Sequence, residues 1–164
     1  MADYSNIPFG FVQFKDIKGE VKVGEHTDWI ALEYTTIKIV NTSNSSTDVG
    51  SWGSGKAYLE PIPLLLSYDK AITTLQKFAA NGTHIESANI HLLRNLGGTK
   101  AVKWIQYELS DVFIVEAQCG SPKEPTSIRV MCKKIKCTFT PADYKGKSQG
   151  DITWTWDLEN QAIT

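Results

Sequence analysis

With 164 residues and 17 Lys and Arg against 18 Asp and Glu, a formal net charge of −1, the chain is one domain's worth and has no field strong enough to attract DNA, RNA or an anionic membrane. Nowhere do eighteen apolar residues follow one another, and the start, MADYSNIPFGFVQF, has neither a basic region nor a long apolar run. Membrane insertion and a cleaved signal are therefore not expected. Cys119, Cys132 and Cys137 are odd in number and far from CxxC spacing, which reads as thiols of a reducing cytoplasm and not as a zinc site.

In chain order, FGFVQFKDI (9–17) alternates apolar and polar residues and predicts a strand, closed by a turn at Asp16 to Gly19. WIALEYTTIKIV (29–40) predicts the next. Then comes NTSNSSTDV, a polar Ser/Thr/Asn stretch, leading into GSWGSGKA (50–57), which spells G-x-x-x-x-G-K. A phosphate-binding P-loop needs a Ser or Thr after the lysine to ligate magnesium, a buried strand before the loop and a helix after it. Here Ala57 holds the hydroxyl position, the upstream stretch is polar, and Pro61 and Pro63 stand where a helix would propagate. The stretch reads as a loop running into a strand, AYLEPIPLLL (57–66).

One segment departs from period two. In YDKAITTLQKFAANG (68–82) the residues Ala71, Ile72, Leu75, Phe78 and Ala79 recur at helical spacing, with Asp69 placed to cap the start and Asn81-Gly82 to end it in the left-handed conformation. Further strands are predicted at HIESANIHLLR (84–94), AVKWIQYEL (101–109) with DVFIVEA (111–117), SIRVMCKKIKCTFT (127–140) and DITWTWDL (151–158). In the last, Ile152, Trp154, Trp156 and Leu158 share one face. Turn signals at Gly97-Gly98, SPKEP and PADYKGKSQGD separate them. Short punctuated strands with one short helix predict a mainly β fold, an antiparallel barrel or sandwich.

Two strands carry mixed faces. Ile37 and Ile39 alternate with Thr36 and Lys38, and the face of Arg129, Met131, Lys133, Ile135 and Cys137 mixes charge with bulk. Such faces pack against another subunit or line a wet cavity. Equally, they suit a monomeric barrel whose long Lys and Arg stems cover apolar surface. Site chemistry is not evident. His26, His84 and His91 stand singly, without the pairing a metal requires, and read as surface or packing residues. Glu20, Glu25, Asp28, Glu33, Glu108, Asp111, Glu116 and Glu124 lack a positioned base or nucleophile and read as solvated charges limiting edge aggregation. The sequons at Asn41, Asn44 and Asn81 read as turn chemistry.

The order of features carries a resemblance. KGE at Lys18 to Glu20, HTDWI at His26 to Ile30, a long Ser/Gly-rich loop closing in GSGK at Gly53 to Lys56, a helix ending in Asn-Gly and the closing TWTWDLEN resemble the haemolysin-coregulated protein family of bacterial type VI secretion, from about Phe11 to the end. The resemblance implies a single domain over 1–164, with residues 1–10 as an N-terminal extension and 41–55 as an extended loop. Its fold would be an antiparallel β-barrel of two packed sheets with one short flanking α-helix.

The role implied is structural, with no enzymatic activity and no cofactor. A homohexamer would stack into a tube inside a contractile sheath, with a spike protein at its tip and effector proteins in its channel. It would be made in the bacterial cytoplasm and exported to the medium or a target cell. Ser43, Asn44, Val49 and Trp52 would then belong to a ring-stacking loop, and Thr36, with Tyr34 and Lys38 on its face by alternation, to the channel wall. The alternative function is a small-ligand-binding barrel without ring assembly.

Overall fold

The computed structural model describes residues 9–42, 55–95, 101–121, 123–124, 126–143, 145 and 147–164. Within them the period-two runs become strands β1 (Gly10–Phe14), β2 (Ile30–Thr35), β3 (Ile39–Asn41), β4 (Ala57–Leu59), β5 (Ile62–Leu66), β6 (Ile85–Asn95), β7 (Ala101–Gln118), β8 (Thr126–Phe139), β9 (Ile152–Asp157) and β10 (Ala162–Ile163). The helical segment becomes α1 (Ala71–Asn81). Every pairing is antiparallel. The order β8-β5-β2-β1-β6-β7 returns to β8 through a long β7–β8 ladder, so six strands close a barrel and leave no free edge between them.

β8 serves two neighbours on one edge, with β5 along Thr126 to Val130 and β9 along Lys134 to Phe139. β10 covers β9 in turn. The interior is filled by one continuous cluster that includes Val12, Phe14, Ile30, Leu32, Leu64, Leu66, Ile90, Leu109, Val112, Ile114, Ile128, Val130 and Ile135. Each such side chain, withdrawn from water, contributes about 1.5–3 kcal/mol before the entropy cost of ordering it.

The predicted helix forms, and its ends have physical causes. Asp69 is buried, and its carboxylate accepts the amide of Ala71 at 2.8 Å and that of Glu20 at 2.8 Å. Glu20 returns the contact, accepting the amide of Lys70 at 3.2 Å. The helix start is thereby clasped to the KGE segment, and it is Lys70, with no side-chain cap bond of its own, that flanks the first helical residue. Gly19 between them has no alternative: a Cβ there would lie 2.2 Å from the carbonyl oxygen of Trp29. At the far end Gly82 takes φ 69° and its amide reaches Phe78, as the Asn-Gly pair predicts. Ala71, Ile72 and Leu75 are the buried stripe, and α1 packs on β7.

Three readings of strand extent change, and one of strand face. WIALEYTTIKIV is interrupted at residues 36–38, and AYLEPIPLLL at residues 60–61, where the chain leaves the ladder with β3 for those with β2 and β8; Pro63 stays within β5. AVKWIQYEL and DVFIVEA are one 18-residue strand, with Asp111 at φ 51° inside it. Trp156 is buried and Trp154 and Leu158 pack on the core, but Ile152 is 63% exposed. It pairs with Phe139 at the far end of β8, past the stretch that β5 encloses.

Candidate functional site

The exposed surface is built from strand defects as much as from strand alternation. In β2, Ile30 and Leu32 face the core, but the register slips between Leu32 and Tyr34 against β5. The next inward residue is therefore Thr35, 7% exposed, and not Tyr34. Tyr34, Thr36 and Lys38 consequently lie at the surface, while Ile37 packs on the core. Lys38 is engaged: its Nζ lies 3.1 Å from Glu60, whose amide also bonds the Lys38 carbonyl. The hydroxyl of Thr35 is buried without a partner among the described residues.

β3 and β4 form a separate two-stranded ribbon, with Asn41 opposite Ala57. Its open end is held where the Thr42 amide and hydroxyl both donate to the Lys56 carbonyl, at 3.4 and 3.1 Å. Ser43, Asn44, Val49 and Trp52, the ring-stacking positions read from the sequence, lie outside the described residues. Lys56 is exposed and leads into β4, so the helix that a phosphate loop requires is replaced by a strand. Ile39 and Tyr58 on this ribbon are 46% and 45% exposed.

The mixed face of β8 has a definite origin. Buried positions on β7 run Leu109, then Val112 and Ile114; on β8 they run Ile128 and Val130, then Ile135. Both strands shift phase at the same place while their pairing holds, Ser110 opposite Lys134 and Val112 opposite Cys132. Asp111 sits at the shift, accepting His84 Nδ1 at 2.6 Å and pairing with Lys133 at 3.0 Å. These donors hold its carboxyl below the usual range. Ile135 thus leaves the outer face on which strict alternation placed it. Three of the four basic residues of β8 are met from β7 by acids: Lys133 by Asp111, Lys136 3.5 Å from Glu108 and Arg129 3.9 Å from Glu116, while Lys134 stands opposite Ser110. Exposed pairs of this kind contribute little to stability, but they offset part of the positive charge that β8 carries.

The histidines are not all isolated. His26, in a 3-10 turn over Gly24–His26, and His91, on β6, are both buried, with His26 Nε2 2.9 Å from His91 Nδ1. The β1–β6 register, Phe11 opposite His91, brings them together across 65 residues. Phe11 stacks on His26 at 4.3 Å, and Trp29 stands edge-on to His26 and tilted against His91. Burial, then the nearby charges of Lys103 and His26, lowers the His91 pKa to about 3; burial also lowers that of His26, against the opposing pull of Glu25. Both rings are neutral at pH 7. Among the described residues, Glu25, His26 and His91 are the group whose donor atoms converge closely enough to hold a metal, all within 4.8 Å of one another. Nothing in the local sequence GEH or NIHLL signals the pairing, which exists only through the barrel register.

Cys132 and Cys137 have their pKa values raised, chiefly by burial and for Cys132 to about 12, so both are protonated thiols and poor nucleophiles. A cleft of about 190 Å³ opens between Arg94, Lys103, Trp104 and Phe139, and the Trp104 Nε1 donor is buried without a partner among the described residues.

Comparison with known proteins agrees with this architecture. No curated protein matches the sequence. Solved structures do match in fold: one described as a type six secretion system protein, at 19% identity over 94% of this chain and 98% of that chain with a TM-score of 0.85. Hcp1 from Salmonella typhimurium matches at 18% identity over 94% and 97% with a TM-score of 0.74. A type VI secretion system effector from Yersinia pestis matches at 19% identity over 90% and 98% with a TM-score of 0.70. The model of the family described as type VI secretion system effector, Hcp, matches residues 11–145, and the chain belongs to that family.

Proposed function

We propose that this chain is the structural tube subunit of a type VI secretion apparatus, closing as a homohexameric ring and stacking ring on ring around a channel that carries effector proteins. The observation that carries the reading is the outer surface of a barrel whose own core is complete. Tyr34, Ile39, Tyr58, Val115, Met131, Ile152 and Ile163 are each more than 40% exposed, although the interior cluster is packed without them. Large apolar groups spread over several outer faces suit a protein with more than one interface. Ring closure needs a head-to-tail contact and stacking needs a second surface along the axis.

In this reading the 41–55 loop, on its separate ribbon, supplies the axial contact through Ser43, Asn44, Val49 and Trp52. Tyr34, Thr36 and Lys38 face the channel. A contractile sheath surrounds the tube, a spike protein caps it, and the protein passes from the bacterial cytoplasm to the medium or a target cell. No nucleotide and no catalytic step is part of the mechanism. The packed interior weighs against the small-ligand alternative, since a ligand-binding barrel keeps its axis open. Light scattering of the purified protein tests the ring: a mass of about 109 kDa, six times the 18.2 kDa chain, is expected, and a monomer mass at every concentration would end the proposal.

A further inference from the structure

We propose that Glu25, His26 and His91 form a binding site for one transition-metal dication per chain. His26 Nε2 and His91 Nδ1 lie 2.9 Å apart, and Glu25 Oε1 lies 3.9 Å from His26 Nε2. Two nitrogens bonded to an ion at about 2.1 Å, with a right angle between them, stand about 3.0 Å apart, so the imidazoles already hold the spacing of neighbouring ligands on a six-coordinate ion. A tetrahedral ion needs about 3.4 Å, a small opening of the same pair. Glu25 is exposed and its carboxylate is free to turn toward the ion as third ligand, with water completing the shell.

The two imidazoles sit on rigid elements. His91 is fixed by its ladders to Phe11 and Gln106 on either side. The 3-10 turn that presents His26 is held by backbone bonds from His26 to Val23, Asp28 to Val21 and Gly19 to Asp28, at 2.8–2.9 Å. Phe11 and Trp29 fix the plane of the His26 ring. Ligands held in this way lose little freedom on binding. The proton now shared between Nε2 and Nδ1 moves to the far nitrogen of the ring that carries it, so each ring remains a neutral donor and the count of protons is unchanged.

Local charge narrows the class of ion. Lys103 lies close enough to act on both rings and opposes any cation, and the Glu25 carboxylate offsets it. A hard ion such as magnesium or calcium, which depends on oxygen ligands and charge, has no hold here. A nitrogen-seeking dication of the nickel, copper or zinc type does.

The test uses the full chain, freed of metal by chelation. Calorimetric titration with nickel or zinc chloride is expected to give one site per chain, with a rise in melting temperature that depends on metal concentration. Glu25→Gln, at an exposed position, is expected to weaken binding at least about tenfold, the scale that even outer-shell changes produce at metal sites. His91→Gln is expected to weaken it further, and His84→Gln to leave it unchanged. Should His91→Gln fail to fold, the imidazole proton resonances of the unaltered chain give the same answer, since zinc must shift those of His26 and His91 and spare His84. Absence of saturable binding up to millimolar metal, or binding that survives Glu25→Gln and is lost with His84→Gln, overturns the proposal.

Discussion

Replacing Asp69 with alanine isolates the clasp between the KGE segment and the helix. The carboxylate accepts two backbone amides, Ala71 and Glu20, each at 2.8 Å, from a position only 7% exposed. Hydrogen bonds to a charged acceptor contribute about 1.5–3 kcal/mol each, and losing the acceptor leaves part-buried donors unsatisfied. The two bonds share one group and are not independent, so the expected loss is about 3 kcal/mol. For a chain of this size that is about 6–12 °C in melting temperature.

Urea denaturation at fixed protein concentration, followed by circular dichroism, measures it. Glu20→Ala removes only the exposed return bond to Lys70 and is expected to cost about 0.5–1 kcal/mol. The double variant should cost less than the sum, because both changes open the same clasp. A loss below about 1 kcal/mol for Asp69→Ala, or strict additivity in the cycle, would refute the clasp.

Other changes test other parts. Asp111 has its carboxyl pKa lowered by His84 and Lys133, so its contribution to stability is complete above the unfolded value of 3.8 and disappears as pH falls through the folded value. Asp111→Asn, which tolerates φ 51°, should flatten the acid end of the stability curve, and an unchanged curve would contradict the clamp. Lys56→Ala should leave the fold intact, and neither form should give saturable heat with ATP and magnesium, because a strand follows the glycine-rich stretch. Deleting Ser43 to Trp52 with a short glycine linker should keep the barrel and the six-membered ring but impair stacking in electron micrographs of crowded rings. Unaltered tubes would remove the loop from assembly.

The strands of the barrel are readable from residue pattern wherever one strand keeps one phase. The helical stripe of Ala71, Ile72 and Leu75 buries the side predicted, but FGFVQF and HIESANIHLLR are covered on both sides: Val12, Phe14, Ala88, Ile90 and Leu92 join the core, while Phe11 and His91 are buried on the opposite face against His26 and Trp29. Pattern fails where the phase shifts. Nothing in VMCKKIKC says that Ile135 returns to the core three residues after Cys132, since the cause is Asp111 on the neighbouring strand. The slip at Glu33 is similarly hidden, and it decides that Tyr34 lies outside and Thr35 inside. Asp69 was legible as a cap, but its second bond to Glu20 was not, since the KGE segment reaches it only after the chain folds across 49 residues. The approach of His26 to His91 is hidden for the same reason: their proximity is a property of strand register, which no local spacing encodes.

The central claim, that this barrel is one sixth of a stackable ring, is tested most directly by an electron micrograph of the purified full chain at high concentration. The account predicts six-fold rings with an open central channel, and short tubes where rings crowd together. A field of discrete particles of single-barrel size, unchanged as concentration rises, would contradict it.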